Sequence, residues 1–469
     1  MAGAKVVVKP GESIPGATII VRDGLVQQVG TNLNPPADAR VWDLKGATIY
    51  AGLIDPCLTL QSTNRPITYD RATSDSTLAA GGRGFYGVPG SERDPGAAGP
   101  GSEVSRVHPE TRAVQTFSPD AKSLEAAREL GFTAGNIVPE KGIFRGTSVL
   151  VALGDVAPNN AVIKEDTFQH VAFETDGGNE DAYPRSLMGV IAVVRQTLFD
   201  ARHYAQDHAH FRLNPEGRKR PEFNASLAAL LPASEGRMAV MFEPGSALMN
   251  DRAARVAREL GLDFLLVSSG QEWRRPDLAR ATAAPYIVPL SFPELPKLPD
   301  DDDWETVSLD QLRAWDWAPE NAALLRQQGL ELALTTYGLS DKKNFRKNLR
   351  LAMDRGLSEI DALAALTTVP ARLCGVADRL GTIEAGKAAN LTVVEGDSYF
   401  DPENRVREVW IDGRVYRVKP GEDGSADEAR TEPEKKSEDP KRRTRELRRS
   451  RTARSPLEGR GRWPRHRRS

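Results

Sequence analysis

At 469 residues the chain is too long for one small domain and fits a barrel-sized domain with an accessory module. Its two cysteines, Cys57 and Cys374, exclude a disulfide framework and a four-cysteine zinc site, and no apolar run approaches the roughly 18 residues of a membrane-spanning helix. The net charge of −2 hides a split: residues 441–469 carry 13 Lys and Arg against 2 Glu, which leaves 50 Lys and Arg against 63 Asp and Glu in residues 1–440.

In chain order, residues 4–50 read as short strands. Val6–Val8, Ala17–Arg22, Leu25–Val29 and Arg40–Leu44 are β-rich runs parted by turns, with Asp23-Gly24 marking a hairpin, and Thr48–Leu53 is a further strand. Residues 73–105, rich in Gly, Pro, Ser and Ala, read as a long insertion loop. From residue 119 helix and strand alternate. The pattern predicts helix 119–130, strand 132–138, helix 187–204, strand 239–242, helix 251–260, strand 264–267, helix 273–280 and strand 286–290. Helix 319–328, strand 332–335 and helices 342–355 and 358–366 follow, and the ordered part ends in strands 390–394, 406–411 and 415–418, the last two joined across Asp412-Gly413.

Repeating strand–helix units of this length predict a parallel sheet with right-handed crossovers, and at this size an α/β protein with a closed TIM (β/α)8 barrel. The expected organisation is a barrel over 52–375, flanked by a small β-sandwich built from both chain ends, 1–51 and 376–420. Residues 421–469, an acidic then a basic stretch with few large apolar side chains, predict a disordered tail. The start, MAGAKVVVKPGESIPG, has neither a basic n-region nor an apolar h-region. The expected location is cytoplasmic for the sequence as it stands, and secreted or periplasmic if the true start lies upstream.

The opening VVVKPGESIPGATIIVRDGLVQQVG…VWDLKGATIYAGLIDP resembles the start of the amidohydrolase superfamily, in particular its imidazolonepropionase-like branch. GFTAGNIVPEKGIFRGTSVLV is similar to that branch's second and third strands. The stretch ALAALTTVPARLCGVADRLGTIEAGKAANLTVVEGD…VREVWIDGRVYRV is similar to its closing signature, so the resemblance covers about residues 4–418. It implies a TIM barrel with a small β-sandwich, a Zn or other divalent metal, and hydrolysis of non-peptide C–N bonds. In such enzymes His-x-His closes the first barrel strand, since residues two apart on a strand share a side and can ligate one ion. The ion lowers the pKa of bound water. Histidines on the fifth and sixth strands and an Asp on the eighth complete the implied site.

This sequence departs from the pattern at each position. Cys57 and Thr59 stand at the two histidine places, Glu243 on the fifth strand, Ser268, Ser269 and Gln271 on the sixth, and Tyr337 in place of the Asp. Thr is a poor zinc ligand, and a neutral Tyr cannot serve as both carboxylate ligand and base. Cys57, Glu243 and Tyr337 are expected to converge at the barrel mouth, with no metal and no other cofactor. Cys57 by itself reads most simply as a small buried residue, and Glu243 as a solvated acid or a pocket relic. His208-Ala-His210 follows a helical segment, where residues two apart face nearly opposite ways. His108 and His170 read as loop residues, and Asp300–Asp303 as a solvated acidic loop.

Three functional readings stay open at this level. The first is a pseudoenzyme that lacks the metal site and is retained for binding or assembly, with an intact amidohydrolase paralogue or further copies of itself as partners. The second is an active C–N hydrolase with atypical ligands or no metal. The third is anion or nucleic-acid binding by the Arg-rich tail, which would be sequence-independent and salt-sensitive. That tail also reads as a plain solvated segment, or as the product of a shifted frame in GC-rich DNA.

Overall fold

The computed structural model describes residues 1–60, 104, 106–175, 183–294 and 307–419. The insertion loop 73–105 (Val104 aside), the run Asp300–Asp303 and the tail 421–469 lie outside the described residues.

The N-terminal segment forms β1 (Ala2–Lys9), β2 (Glu12–Arg22), β3 (Leu25–Gly30) and β4 (Ala47–Ala51). The β2–β3 hairpin turns at Asp23-Gly24 with φ of 53° and 78°, the two positive values that a tight primed turn requires and that Asp-Gly tolerates. Asp412-Gly413, at 49° and 75°, repeats the device. The expected strand 40–44 is reduced to an isolated bridge from Asp43 to Ala2. The expected strand 48–53 is broken in two: β4 stops at Ala51, and β5 (Leu53–Leu58) starts after Gly52. A Cβ at Gly52 would lie 2.2 Å from Thr133 Oγ1, so only glycine lets the chain pass there.

The middle of the chain supplies β6 (Phe132–Ile137), β7 (Phe144–Thr147), β8 (Val149–Ala152), β9 (Val162–Lys164) and β10 (Gln169–Ala172). After these come β11 (Val240–Glu243), β12 (Phe264–Val267), β13 (Tyr286–Pro289) and β14 (Leu332–Thr335). The described chain ends with β15 (Leu391–Glu395), β16 (Val406–Ile411) and β17 (Arg414–Arg417). Three sheets result, in the orders β17-β16-β15-β4-β1-β2-β3, β14-β13-β12-β11-β10-β7 and β5-β6-β8-β9. The first joins both chain ends, because β15 pairs with β4.

Strands β10 to β14 run parallel, as the alternating helices require, with helices such as Ala247–Glu259 and Asn321–Gln327 between them. The third strand of the parallel expectation runs the other way. β8 is antiparallel to β6 and β7 antiparallel to β10. Only residues 138–143 separate β6 from β7, too few for a crossover helix, so the chain turns straight back. Ser148 alone parts β7 from β8, and this bent stretch serves both smaller sheets. Their other edges meet through side chains. Thr335 Oγ1 donates to Asp55 Oδ1 at 2.5 Å and to the Cys57 carbonyl at 2.9 Å, while Thr336 donates to Asp55 Oδ2 from its nitrogen (3.0 Å) and its hydroxyl (2.6 Å).

One apolar cluster draws Ile54, Ala134, Leu150, Met241, Leu265, Ile287 and Ala333 from seven of these strands. They are the alternate residues of each strand, so the two smaller sheets share an inner face. A larger cluster packs their other face against the helices. The helix starting at Leu187, capped by Ser186, runs to Leu213, nine residues past its expected end, and stops one residue before Pro215. His208 and His210 both lie on it, half-buried and exposed respectively. No described helix is long and apolar enough to cross a membrane.

Candidate functional site

The inner face carries an ion cluster at the strand ends. Arg145, on β7, is 4% exposed. Its Nη1 donates to Glu243 Oε2 at 2.9 Å, its Nη2 to Glu174 Oε2 at 3.0 Å, and its Nε to the Gly142 carbonyl at 3.1 Å. Glu243 ends β11, and Tyr337, two residues past β14, donates its hydroxyl to the same Oε2 at 2.9 Å. Glu174 follows β10 and is held a second time by Arg106, whose Nη2 donates to Oε1 at 2.8 Å and whose Nη1 donates to the Glu174 carbonyl at 3.1 Å. Two guanidiniums thus face two carboxylates in a buried setting. Charge-assisted pairs of this kind are strong only when every partner is present.

His170, on β10, sits in the same interior. It is buried, its Nε2 has no hydrogen-bond partner among the described residues, and its pKa is pushed from 6.5 to about 3 by burial and then by the charge of Arg145. The loop reading of His170 was wrong: TFQHVAF alternates as a strand does, with Phe168 and His170 on one side and Val171 on the other. The lowered pKa has a measurable sign. Between pH 6.5 and 3 the unfolded chain binds one proton that the folded chain refuses. Stability is therefore lost as pH falls through that window, by up to about 1.4 kcal/mol per pH unit from this group. His170→Gln should flatten the decline between pH 6.5 and 5, where few carboxylates titrate. Urea unfolding at stepped pH reads it, and a variant as acid-sensitive as its parent would remove His170 as the cause.

The five sequence-nominated positions divide. Glu243 and Tyr337 meet directly. Cys57 lies 1% exposed in the same apolar cluster as Tyr337, with its backbone nitrogen donating to Asp55 Oδ1 at 3.0 Å. Thr59 is half-buried at the end of β5, and its carbonyl accepts from Lys342 Nζ at 2.6 Å. Burial lowers the pKa of that lysine, against the opposing pull of Asp55 and Glu140. Ser269 turns elsewhere: its hydroxyl donates to Glu272 Oε1 at 3.0 Å, within a buried network with Ser268, Asn250 and Asn321. The loop after β12 is tied down by Glu272, so Ser269 does not join the others. Arg145, Glu174, Arg106 and His170 were missed from sequence. The one available signal was a lone arginine inside the otherwise apolar and small-residue run IFRGTSVLV.

A divalent metal, which the family resemblance implies, does not fit this donor set. The Glu243 carboxylate that would face it is already held by a guanidinium and a phenol, and a second cation beside Arg145 would be repelled at short range. Cys57 stands among apolar side chains, a setting that disfavours the thiolate a metal needs. Among the described residues no group of three or more His, Cys, Asp and Glu side chains is arranged to hold a metal ion. His203, on the long helix, pairs instead with Asp207 at 3.2 Å.

Comparison with known proteins adds three findings. Residues 320–416 match the Amidohydrolase family, a span from the helix at Asn321 through β14 and β15 to β17. Among solved structures, an amidohydrolase from Thermotoga maritima MSB8 is similar in fold, with 22% identity over 89% of this chain and 99% of that one and a TM-score of 0.70. A prolidase complexed with N-methylphosphonate-L-proline is similar at 14% identity, over 89% of this chain and 99% of that one, with a TM-score of 0.50. Comparison with curated protein sequences finds no match.

Proposed function

We propose that this chain is an amidohydrolase-superfamily protein that has lost metal-dependent C–N hydrolysis and is retained for binding or assembly, its partner an intact amidohydrolase or a further copy of itself. The observation that carries the reading is the Arg145–Glu243–Tyr337 contact, a fixed positive charge on the fifth-strand carboxylate. The Amidohydrolase match over 320–416 and the fold likeness support membership, and the Asp55 bonds between β5 and β14 support a closed (β/α)8 barrel over 52–375. The strands of 1–51 and 376–420 would be its flanking β-module.

The test has two arms. Metal analysis of protein purified without added metal should find no stoichiometric zinc, manganese or iron, and one equivalent of any of them would sink the reading in favour of an active hydrolase with atypical ligands. Cys57→His combined with Thr59→His should restore neither zinc binding nor turnover of N-acyl amino acids and dipeptides. The imidazole at position 57 would meet a buried apolar cluster, and Arg145 would still hold Glu243. Turnover well above that of the parent would refute it.

A further inference from the structure

Glu243 and Glu174 come from the ends of neighbouring strands and project carboxylates, each 16% exposed, toward the buried Arg145. Two such carboxylates demand a cation between them, because an unpaired buried charge is costly. One guanidinium bridges the two: Arg145 sends one Nη to each carboxylate, its Nε is pinned to the Gly142 carbonyl, and Arg106 pairs with Glu174 alone. Its charge is permanent and its fork is rigid, which suits it to hold two anions apart at fixed angles. It reaches the interior because side chains alternate along β7, which sets Arg145 opposite Phe144 of the outer cluster.

We propose that Arg145 is a resident cation that takes the structural place of a metal ion, so the pocket recruits an external cation only when that charge is removed. The inference rests on the loss of the metal site described above and deepens it. It predicts that the barrel mouth owes its order to this charge and not to the bulk of the side chain.

The experiment compares melting temperatures of the full chain. Arg145→Met, which keeps length and removes charge, should melt roughly 3–6 °C below the wild type. Zinc or manganese chloride, or guanidinium ion well below denaturing concentration, should raise the variant's melting temperature and leave the wild type's unmoved. Arg145→Met with Glu243→Gln should melt above Arg145→Met alone and respond less to added cations, since the counter-charge is gone. If Arg145→Met does not fold, Arg145→Lys serves: it keeps the charge without the fork, so it should fold, melt below the wild type and ignore added cations, and a Lys variant that also fails to fold would overturn the role of the charge. A variant that melts with the wild type, or losses that add in the double variant with no response to any cation, would overturn the proposal. Stoichiometric metal in the wild type, alongside a cation-responsive Arg145→Met, would sink the loss of hydrolysis and leave the role of Arg145 standing.

Discussion

Replacing Asp55 by alanine should cost about 3–5 kcal/mol and lower the melting temperature by roughly 3–6 °C. The Asp55 carboxylate is wholly buried and accepts from the Cys57 nitrogen, the Thr335 hydroxyl, and the nitrogen and hydroxyl of Thr336. Alanine would strand three donors, the Cys57 nitrogen and the nitrogen and hydroxyl of Thr336, while the Thr335 hydroxyl keeps the Cys57 carbonyl, and each unsatisfied buried group costs about 1–3 kcal/mol before relaxation. The position matters as much as the count. β5 and β14 lie in different sheets, and these bonds are what tie the two edges. Asp55→Asn keeps the shape but turns an NH2 group toward donors, so it should fall nearer alanine than the wild type. Thermal and urea unfolding read both, and an alanine variant within about 2 °C of the parent would show that the edges hold by packing alone.

Glu272→Ala should be the other severe substitution, at about 3 kcal/mol or more. This carboxylate is 1% exposed and accepts from Ser268 Oγ at 2.6 Å, Ser269 N at 2.9 Å, Ser269 Oγ at 3.0 Å, Asn250 Nδ2 at 2.6 Å and Asn321 Nδ2 at 2.8 Å. All five donors are uncharged, so hydrogen bonding alone compensates its desolvation. Through them the residue joins the loop after β12 to the helices at Ala247–Glu259 and Asn321–Gln327. Glu272→Gln should be milder than alanine, since one acceptor oxygen survives. Proteolysis near residues 268–275 should rise in the alanine variant. Equal stability of the two substitutions would mean that the network contributes shape and little else.

Much of the fold was legible because local signals agreed. Asp23-Gly24 and Asp412-Gly413 announced their hairpins, and β12, β14 and β16 fall on the expected residues. The antiparallel β7–β8 stretch was not legible, because strand direction depends on how a short connection turns, and likeness to a second and a third strand does not fix that turn. Gly52 carried no mark either: its necessity comes from Thr133, 81 residues away. At the site, reading by strand end found Glu243 and Tyr337 but attended to the tyrosine of LTTYG and passed over its threonines, which bind Asp55. Arg145 shows in the sequence only as a lone charge, for a like reason. Which carboxylates it meets depends on strand neighbours, and neighbours are a property of the sheet.

The seven-stranded sheet has a consequence for how the chain is made. Leu391 of β15 pairs with Ala51 of β4, 340 positions apart. A ribosome adding roughly 5–20 residues per second would need on the order of 17–70 s to deliver β15 after β4 has emerged. Through that interval β4, whose five residues are all buried in the finished protein, offers an unpaired edge to any strand nearby. Such distant pairings also slow folding, because the long loop must close before the contact rewards it. The pairing of β4 with β15 is therefore among the last to form, although β1 to β4 can pair locally as soon as they emerge, and the edge left open in the meantime lies at Ala47–Ala51, where a holding chaperone would have the most to shield.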